Sequence, residues 1–238
     1  MRAALLRELN EARAARRAVA LETELSSGRQ RLVRETGLEA DPRGEAIASA
    51  FRSGKSASIE TPDGAFFVNV HLPPPRLVVI GAVHISQALA PMARLAGYDM
   101  EIIDPRTAFA SPDRFAGVPL YAAWPQDVLA ARPLDAYTAL AALTHDPKID
   151  DFPLAEALRA GCFYVGALGS RKTHARRVER LGKGGLPEDA IARIEAPIGV
   201  DIGASTPAEI AVAVLGSIIA AFRKRRMRPE RRGETPPR

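Results

Sequence analysis

The run Leu77–Ile80 is wholly apolar, and Gly81 closes it just before a stretch with helical spacing. Four apolar residues in a row, with no alternation, do not suit a half-exposed strand. They suit one buried on both faces, as in a parallel sheet. The pattern then recurs. "LVVIG", "DMEIID", "GVPLYA", "YTALAALT" and "CFYVGAL" read as strands, separated by helices centred near Leu89, Asp127, Ala157 and Arg177. Such alternation predicts an α/β fold, a parallel sheet with helices on both faces. Pro91 stands inside the first of these helices and predicts a kink. The last helix is marked by "TPAE", with Thr206 at the N-cap, Pro207 next and Glu209 three residues after the cap.

Upstream the spacing changes. Residues 1–17 have a helical pattern in which Leu5, Leu6 and Leu9 share a face. "AVALETEL" and "RQRLVRE" form a hairpin across "SSG", and "DPRGEAIASAFRSG" gives a short helix ending near Gly54. "SASIE" and "AFFVNVHL" flank the turn "TPDG". Pro73–Pro75 stiffen the chain into a linker. The expected organisation is a small α+β N-terminal domain over 1–72, the proline linker 73–75, an α/β domain over 76–222, and a basic disordered tail over 223–238.

Composition narrows the function classes. With 238 residues and 47% hydrophobic content, the chain can build one full core and a smaller appendage. Cys162 is the only cysteine, which excludes an internal disulfide framework and predicts a packed, inert thiol. No apolar run reaches the roughly 18 residues of a membrane span. The N-terminus lacks the apolar core of a signal peptide. Together these predict a cytoplasmic protein. The net charge is +5, but residues 223–238 hold eight Lys/Arg against two Glu, so the rest of the chain sums to about −1. A basic excess confined to a terminus argues against a nucleic-acid partner.

In an open parallel sheet, ligands bind beyond the carboxyl ends of the strands. That rule selects loops 81–86, 104–107, 122–125, 144–151 and 166–172, where the polar residues concentrate. Gly81 supplies the tight turn of a Rossmann-like loop, but the glycine expected two positions later is Val83, and Ser86 stands near the third. NAD or NADP should therefore not bind tightly. Asp104 ends the second strand and suits either a ribose hydroxyl or a local turn. Thr144, His145 and Asp146 open the fourth loop. There Asp146, Asp150 and Asp151 could hold Mg²⁺ through water, or Asp151 could cap the helix containing Pro153. In the fifth loop, Gly166 and Gly169 lead into Ser170, Arg171 and Lys172 at a helix N-terminus, where a phosphate would offset the cost of basic residues beside the positive dipole end. Arg171 occupies the place of a P-loop's last glycine, which excludes an ATPase reading. His84 and Asp201 are further candidates facing the same crevice. Trp124 suits core or surface equally.

The segments "LPPPRLVVIGAVH", "THDPKIDD", "GALGSRKTH" and "IGVDIGASTPAEIA" resemble the hallmarks of the XdhC/CoxI family over about Leu72 to Phe222. The resemblance implies a Rossmann-like domain in an accessory protein of a molybdenum hydroxylase, of the xanthine or carbon monoxide dehydrogenase type. Such a protein binds the pterin-type molybdenum cofactor as cargo and hands it to the apo-enzyme. It implies no resident catalytic residue. A cysteine of the family's N-terminal domain is implicated in cofactor binding, and residues 1–72 here contain none. A short or divergent member is expected, with a homodimer among its expected states. The alternatives are an NAD(P)-dependent oxidoreductase, which would want an intact Gly-x-Gly turn, and a non-catalytic structural partner of the hydroxylase.

Overall fold

The computed structural model describes residues 2–225, in two compact units. The first runs to Pro73, and the described residues from Arg223 onward cluster with it. It contains α1 (Ala3–Ala14), β1 (Val19–Glu24), β2 (Gln30–Arg34), α2 (Gly44–Ser53), β3 (Ala57–Thr61) and β4 (Gly64–His71). The four strands form one antiparallel sheet in the order β2-β1-β4-β3. α1 turns Leu9 and Ala12 inward against Val19, whereas Leu6 is 43% exposed. The leucine face expected from spacing is thus rotated, because Ala12 lies one turn beyond Leu9 and takes the inner stripe. α2 buries Ile47 and Phe51 completely and stops at Gly54, whose φ of +67° is the left-handed cap that favours glycine.

The second unit runs from Pro74 to Phe222. Its strands are β5 (Arg76–Ile80), β6 (Asp99–Ile103), β7 (Leu120–Tyr121), β8 (Thr138–Ala142), β9 (Tyr164–Ala167) and β10 (Ile194–Glu195). Its helices are α3 (His84–Leu95), α4 (Pro125–Ala131), α5 (Pro147–Ala160), α6 (Arg171–Lys183), α7 (Glu188–Ile191) and α8 (Pro207–Lys224). The sheet is parallel throughout, in the order β10-β9-β8-β5-β6-β7. Read from β5 outward, this is the strand order of dinucleotide-binding folds, with its reversal point between β5 and β8.

The period of two along β5 explains why helices cover both faces. Leu77 and Val79 join a core with Ile85 and Leu89 of α3 and with Val214 and Ile218 of α8. Val78 and Ile80 point the other way, into a core with Val128 of α4 and with Leu154 and Leu158 of α5. Both sets are fully or almost fully buried. Cys162 is buried in the second core, and burial pushes its thiol up to about 12, which keeps it protonated and inert.

Two boundaries differ from the expected ones, and two short elements were not expected. α5 begins at Pro147 with Asp146 as N-cap, so Pro153 lies inside the helix and Asp151 caps nothing. Proline at the first helical position is favourable because that N–H has no partner in any case. α8 continues to Lys224, two residues into the segment expected to be disordered; its remainder, 226–238, lies outside the described residues. β10 and α7, two and four residues long, were too short to show a period. The cap of α8 is as read: Thr206 Oγ1 accepts from the Glu209 N–H at 3.2 Å, and the Glu209 carboxylate accepts from the Thr206 N–H at 3.0 Å. No helix among the described residues is long and apolar enough to cross a membrane.

Candidate functional site

The carboxyl ends of β5 and β8 bring the first and fourth loops together. A Cβ on Gly81, whose φ is +119°, would lie 3.0 Å from Thr144 Cγ2, so glycine is what lets the loops touch. The leading amides of the first loop are already engaged. Gly81 N–H donates to Ile103 O at 2.9 Å, Ala82 N–H to Asp104 Oδ2 at 2.8 Å, and Val83 N–H to Ser86 Oγ at 2.9 Å. Val83 itself has φ −106°, an ordinary conformation for a β-branched residue. His84 is exposed in the first turn of α3.

Asp104 is fully buried, and both its oxygens accept hydrogen bonds. They come from the Ala82 and Arg106 amides and from Arg106 Nε and Nη2, at 2.8–2.9 Å. Burial pushes this carboxyl up, but the bonds from Arg106 and Ala82 outweigh it and hold it below the usual carboxylate range. The residue that suited a ribose therefore ties two loops together, as the turn reading allowed. It presents Arg106, which lies 4.5 Å over the Phe109 ring, at the crevice.

In the fourth loop, Thr144 Oγ1 donates to Asp150 Oδ1 at 2.7 Å and accepts from the Asp146 N–H at 3.0 Å. His145 adopts φ +64°, a left-handed conformation that is uncommon for residues other than glycine. The three aspartates considered for Mg²⁺ go to separate partners. Asp146 accepts from the Lys148 N–H, Asp150 faces Thr144, and Asp151 binds Arg180 through Nε at 2.5 Å and Nη2 at 3.1 Å. Among the described residues no group of three or more His, Cys, Asp or Glu could hold a metal ion.

The fifth loop reaches the fourth through Gly169, whose φ is +135°. A Cβ there would lie 3.2 Å from Thr173 and 3.7 Å from His145 Nδ1. Ser170 caps α6 by accepting from the Thr173 N–H at 3.2 Å. Arg171 and Lys172 are exposed on the first turn. Gly166 does a different job from the one expected. It is buried in β9, and a Cβ would come within 2.7 Å of Ile198 and Tyr164, so packing excludes any side chain. Asp201 is exposed before α8 and accepts a local 3.4 Å turn contact from the Gly203 N–H. Trp124 and Phe109 are exposed beyond the carboxyl ends of β7 and β6.

Between α5 and α6, a cleft of about 210 Å³ is lined by His145, Pro147, Asp150, Asp151, Thr173, Arg176, Arg177 and Arg180. Its inner wall was missed from sequence. Arg177 is 2% exposed and spends one donor, Nη2, on Leu168 O at 3.0 Å; its Nε and Nη1 have no hydrogen-bond partner among the described residues. Asp150 Oδ2 is likewise buried without one. Burial pushes the Asp150 carboxyl up to about 6, although the Thr144 hydrogen bond and Arg177 pull the other way. Burial, with Arg177 second, also lowers His145 and His174, which favours their neutral imidazoles at pH 7. A signal for Arg177 did exist. It lies four residues before the buried Leu181, hence on the inner stripe of α6, where a charged residue is out of place.

Residues 77–218, more than half of the chain, match the family described as the XdhC Rossmann domain. The chain is 34% identical over 158 residues to the uncharacterized protein YqeB of Escherichia coli (strain K12), covering 64% of this chain and 28% of that one. It is 31% identical over 144 residues to the molybdenum cofactor insertion chaperone PaoD of the same organism, covering 60% and 39%. It is 32% identical over 148 residues to a probable xanthine dehydrogenase subunit of Bacillus subtilis (strain 168), covering 62% and 43%. The matched segments are thus less than half the length of these relatives. In fold it is similar to a crystal structure from Bacillus halodurans titled as a xanthine dehydrogenase, with a TM-score of 0.64 and 21% identity over 92% of this chain and 66% of that one.

Proposed function

The chain belongs to the XdhC family, and we propose that it is an accessory protein in the maturation of a molybdenum hydroxylase. In this reading it takes the pterin-type molybdenum cofactor as cargo and passes it to the apo-enzyme of a xanthine or carbon monoxide dehydrogenase type. One observation carries the reading: the family-like loops 81–86, 144–151 and 166–172 meet at the strand-order reversal, through the Gly81–Thr144 and Gly169–His145 approaches. The names of PaoD and of the Bacillus subtilis relative supply the chemistry of the cargo and of its recipient.

The chain's own residues have distinct parts in this proposal. Arg171 and Lys172, exposed at the mouth of the crevice, draw an anionic ligand inward, and the positive end of the α6 dipole adds to the attraction. His145, held neutral, offers a hydrogen bond without adding charge. Exposed Trp124 and Phe109 give flat apolar surface for a ring system. Asp104, through Ala82 and Arg106, fixes the floor. NAD and NADP bind weakly in this proposal, because the first-loop amides that would meet a pyrophosphate are engaged within the protein. Delivery takes place in the cytoplasm. The exposed apolar residues Val200, Ile202 and Val212 offer contact area for the recipient or for a second copy of the chain.

A strain lacking this protein tests the reading. Its molybdenum hydroxylase should accumulate at normal abundance but with depleted molybdenum cofactor and activity, both restored by the wild-type chain. A hydroxylase with full cofactor occupancy in that strain would overturn the maturation role.

A further inference from the structure

The cleft between α5 and α6 poses a problem that the crevice does not. Arg177 is nearly as buried as any side chain in the protein, yet two of its donors, Nε and Nη1, lack hydrogen-bond partners among the described residues. Burying a charged donor without a partner is among the costlier things a fold can do. Asp150 stands in the same wall with an unpartnered oxygen, and the two side chains make no hydrogen bond to each other that would resolve both deficits. The neighbouring pair, Arg180 and Asp151, does close on itself. The fold therefore makes one ordinary ion pair at this place and leaves the second one open.

We propose that this cleft is a phosphate site centred on Arg177, occupied by free phosphate or by the terminal phosphate of a larger ligand. The chemistry of the two deficits selects this group. Arg177 presents donors only and needs acceptor oxygens. Ionised Asp150 presents acceptors only, so the same ligand must also bring a hydroxyl. A protonated phosphate does both: its oxygens accept from Arg177 and its P–OH donates to Asp150 Oδ2. Sulfate, fully ionised near neutrality, has no such proton and would set its charge against the carboxylate. The Thr173 hydroxyl and the neutral His145 ring complete the lining, and Arg176 adds positive charge. At about 210 Å³ the cleft is below the range of pockets that enclose whole small molecules, so it takes a group and not an entire cofactor. The inference goes beyond the maturation role and does not depend on which molecule bears the phosphate.

Calorimetric titration of the full chain in mildly alkaline buffer, with inorganic phosphate and separately with sulfate, tests it. Phosphate should bind the wild type about tenfold or more tightly than sulfate. Arg177→Met should weaken phosphate by about tenfold to a hundredfold, the equivalent of one or two charge-assisted hydrogen bonds. Asp150→Asn should narrow the gap between the two anions, because an amide can also donate to sulfate. Absence of phosphate binding, equal affinity for the two anions in the wild type, or undiminished phosphate affinity in a folded Arg177→Met would each overturn the site. If Arg177→Met fails to fold, Asp150→Asn still decides, since a changed preference between two anions does not arise from unfolding. A negative titration leaves the maturation role standing, and a normal hydroxylase in the deletion strain leaves the phosphate site standing.

Discussion

In the antiparallel unit, Glu22 is 2% exposed and both its carboxylate oxygens accept from arginines, one from Arg31 and one from Arg43. Arg31 reaches on to Asp41 at 2.7 Å, and Arg43 lies 4.0 Å over the Phe66 ring. In the parallel unit, Arg177 is equally buried, but most of its guanidinium is unpartnered. Each group lines a cleft, and the first cleft is the larger, about 350 Å³ against about 210 Å³. Size alone would therefore choose the wrong one. Around Glu22 the fold answers its own buried charge, which is what an architectural ion network does. Around Arg177 it does not, and that deficit marks the place where a ligand is needed.

The sharpest way to break the comparison is to remove one charge from each unit. Glu22→Ala should cost about 3–5 kcal/mol, because it leaves two arginines facing a vacated, buried position. Arg177→Met should cost under about 1 kcal/mol, since it removes an uncompensated charge and one hydrogen bond while keeping the apolar volume. Urea denaturation of both variants gives the two values. Equal losses would mean that Arg177 is as fully satisfied as Glu22, and the contrast would fail.

A smaller effect shows in the pH dependence of the parallel unit, where two buried aspartates act with opposite sign. The folded-state pKa of Asp150 is raised to about 6 from 3.8, so the folded protein holds that proton more tightly than the unfolded chain does. This contribution to stability is complete below about pH 4 and is lost as pH rises through about 6. It amounts to roughly 3 kcal/mol at most. The groups facing it are the Thr144 hydroxyl, Arg177 and His145. Asp150→Asn should flatten this part of the pH–stability profile. Asp104, held low, has the opposite sign, and its stabilisation is lost only as pH falls through its depressed pKa. Thermal unfolding across pH 4–8 for wild type and variant checks the difference; parallel profiles would remove Asp150 from the account.

The smallest expected effect concerns the first loop. Val83→Gly should improve NAD binding by no more than about tenfold, or 1.4 kcal/mol, because it removes bulk without freeing the Ala82 amide from Asp104. It should cost about 0.5–1 kcal/mol of stability through backbone entropy. Titration with NAD of wild type and variant measures the first and denaturation the second. Micromolar binding by the wild type would restore the oxidoreductase reading.

Much of this molecule was legible before any coordinates. Uninterrupted apolar strands alternating with helices could pack in few other ways, so the α/β class, five of the six parallel strands and the loops bordering the crevice followed from period and punctuation. The motif resemblance named the family, and the match over residues 77–218 agrees with it. What was not legible has a common character. Ala12 rather than Leu6 lies inward with Leu9, the helix of the fourth loop starts at Pro147, and Gly166 is a packing glycine. Each of these depends on which neighbour comes close in space.

Local chemistry along the chain therefore determined which residues form strands, turns and caps, because propensities and capping bonds act over three or four residues. Tertiary structure alone decided which polar groups are answered. Asp104 meets Ala82 across 22 positions and Asp151 meets Arg180 across 29, whereas Arg177 and Asp150 come to one wall and leave donors and an acceptor open. Hydrogen bonds form only within about 3 Å. Sequence spacing carries no such distance for residues on different elements, so the satisfied and unsatisfied charges of this protein could be told apart only once it was folded.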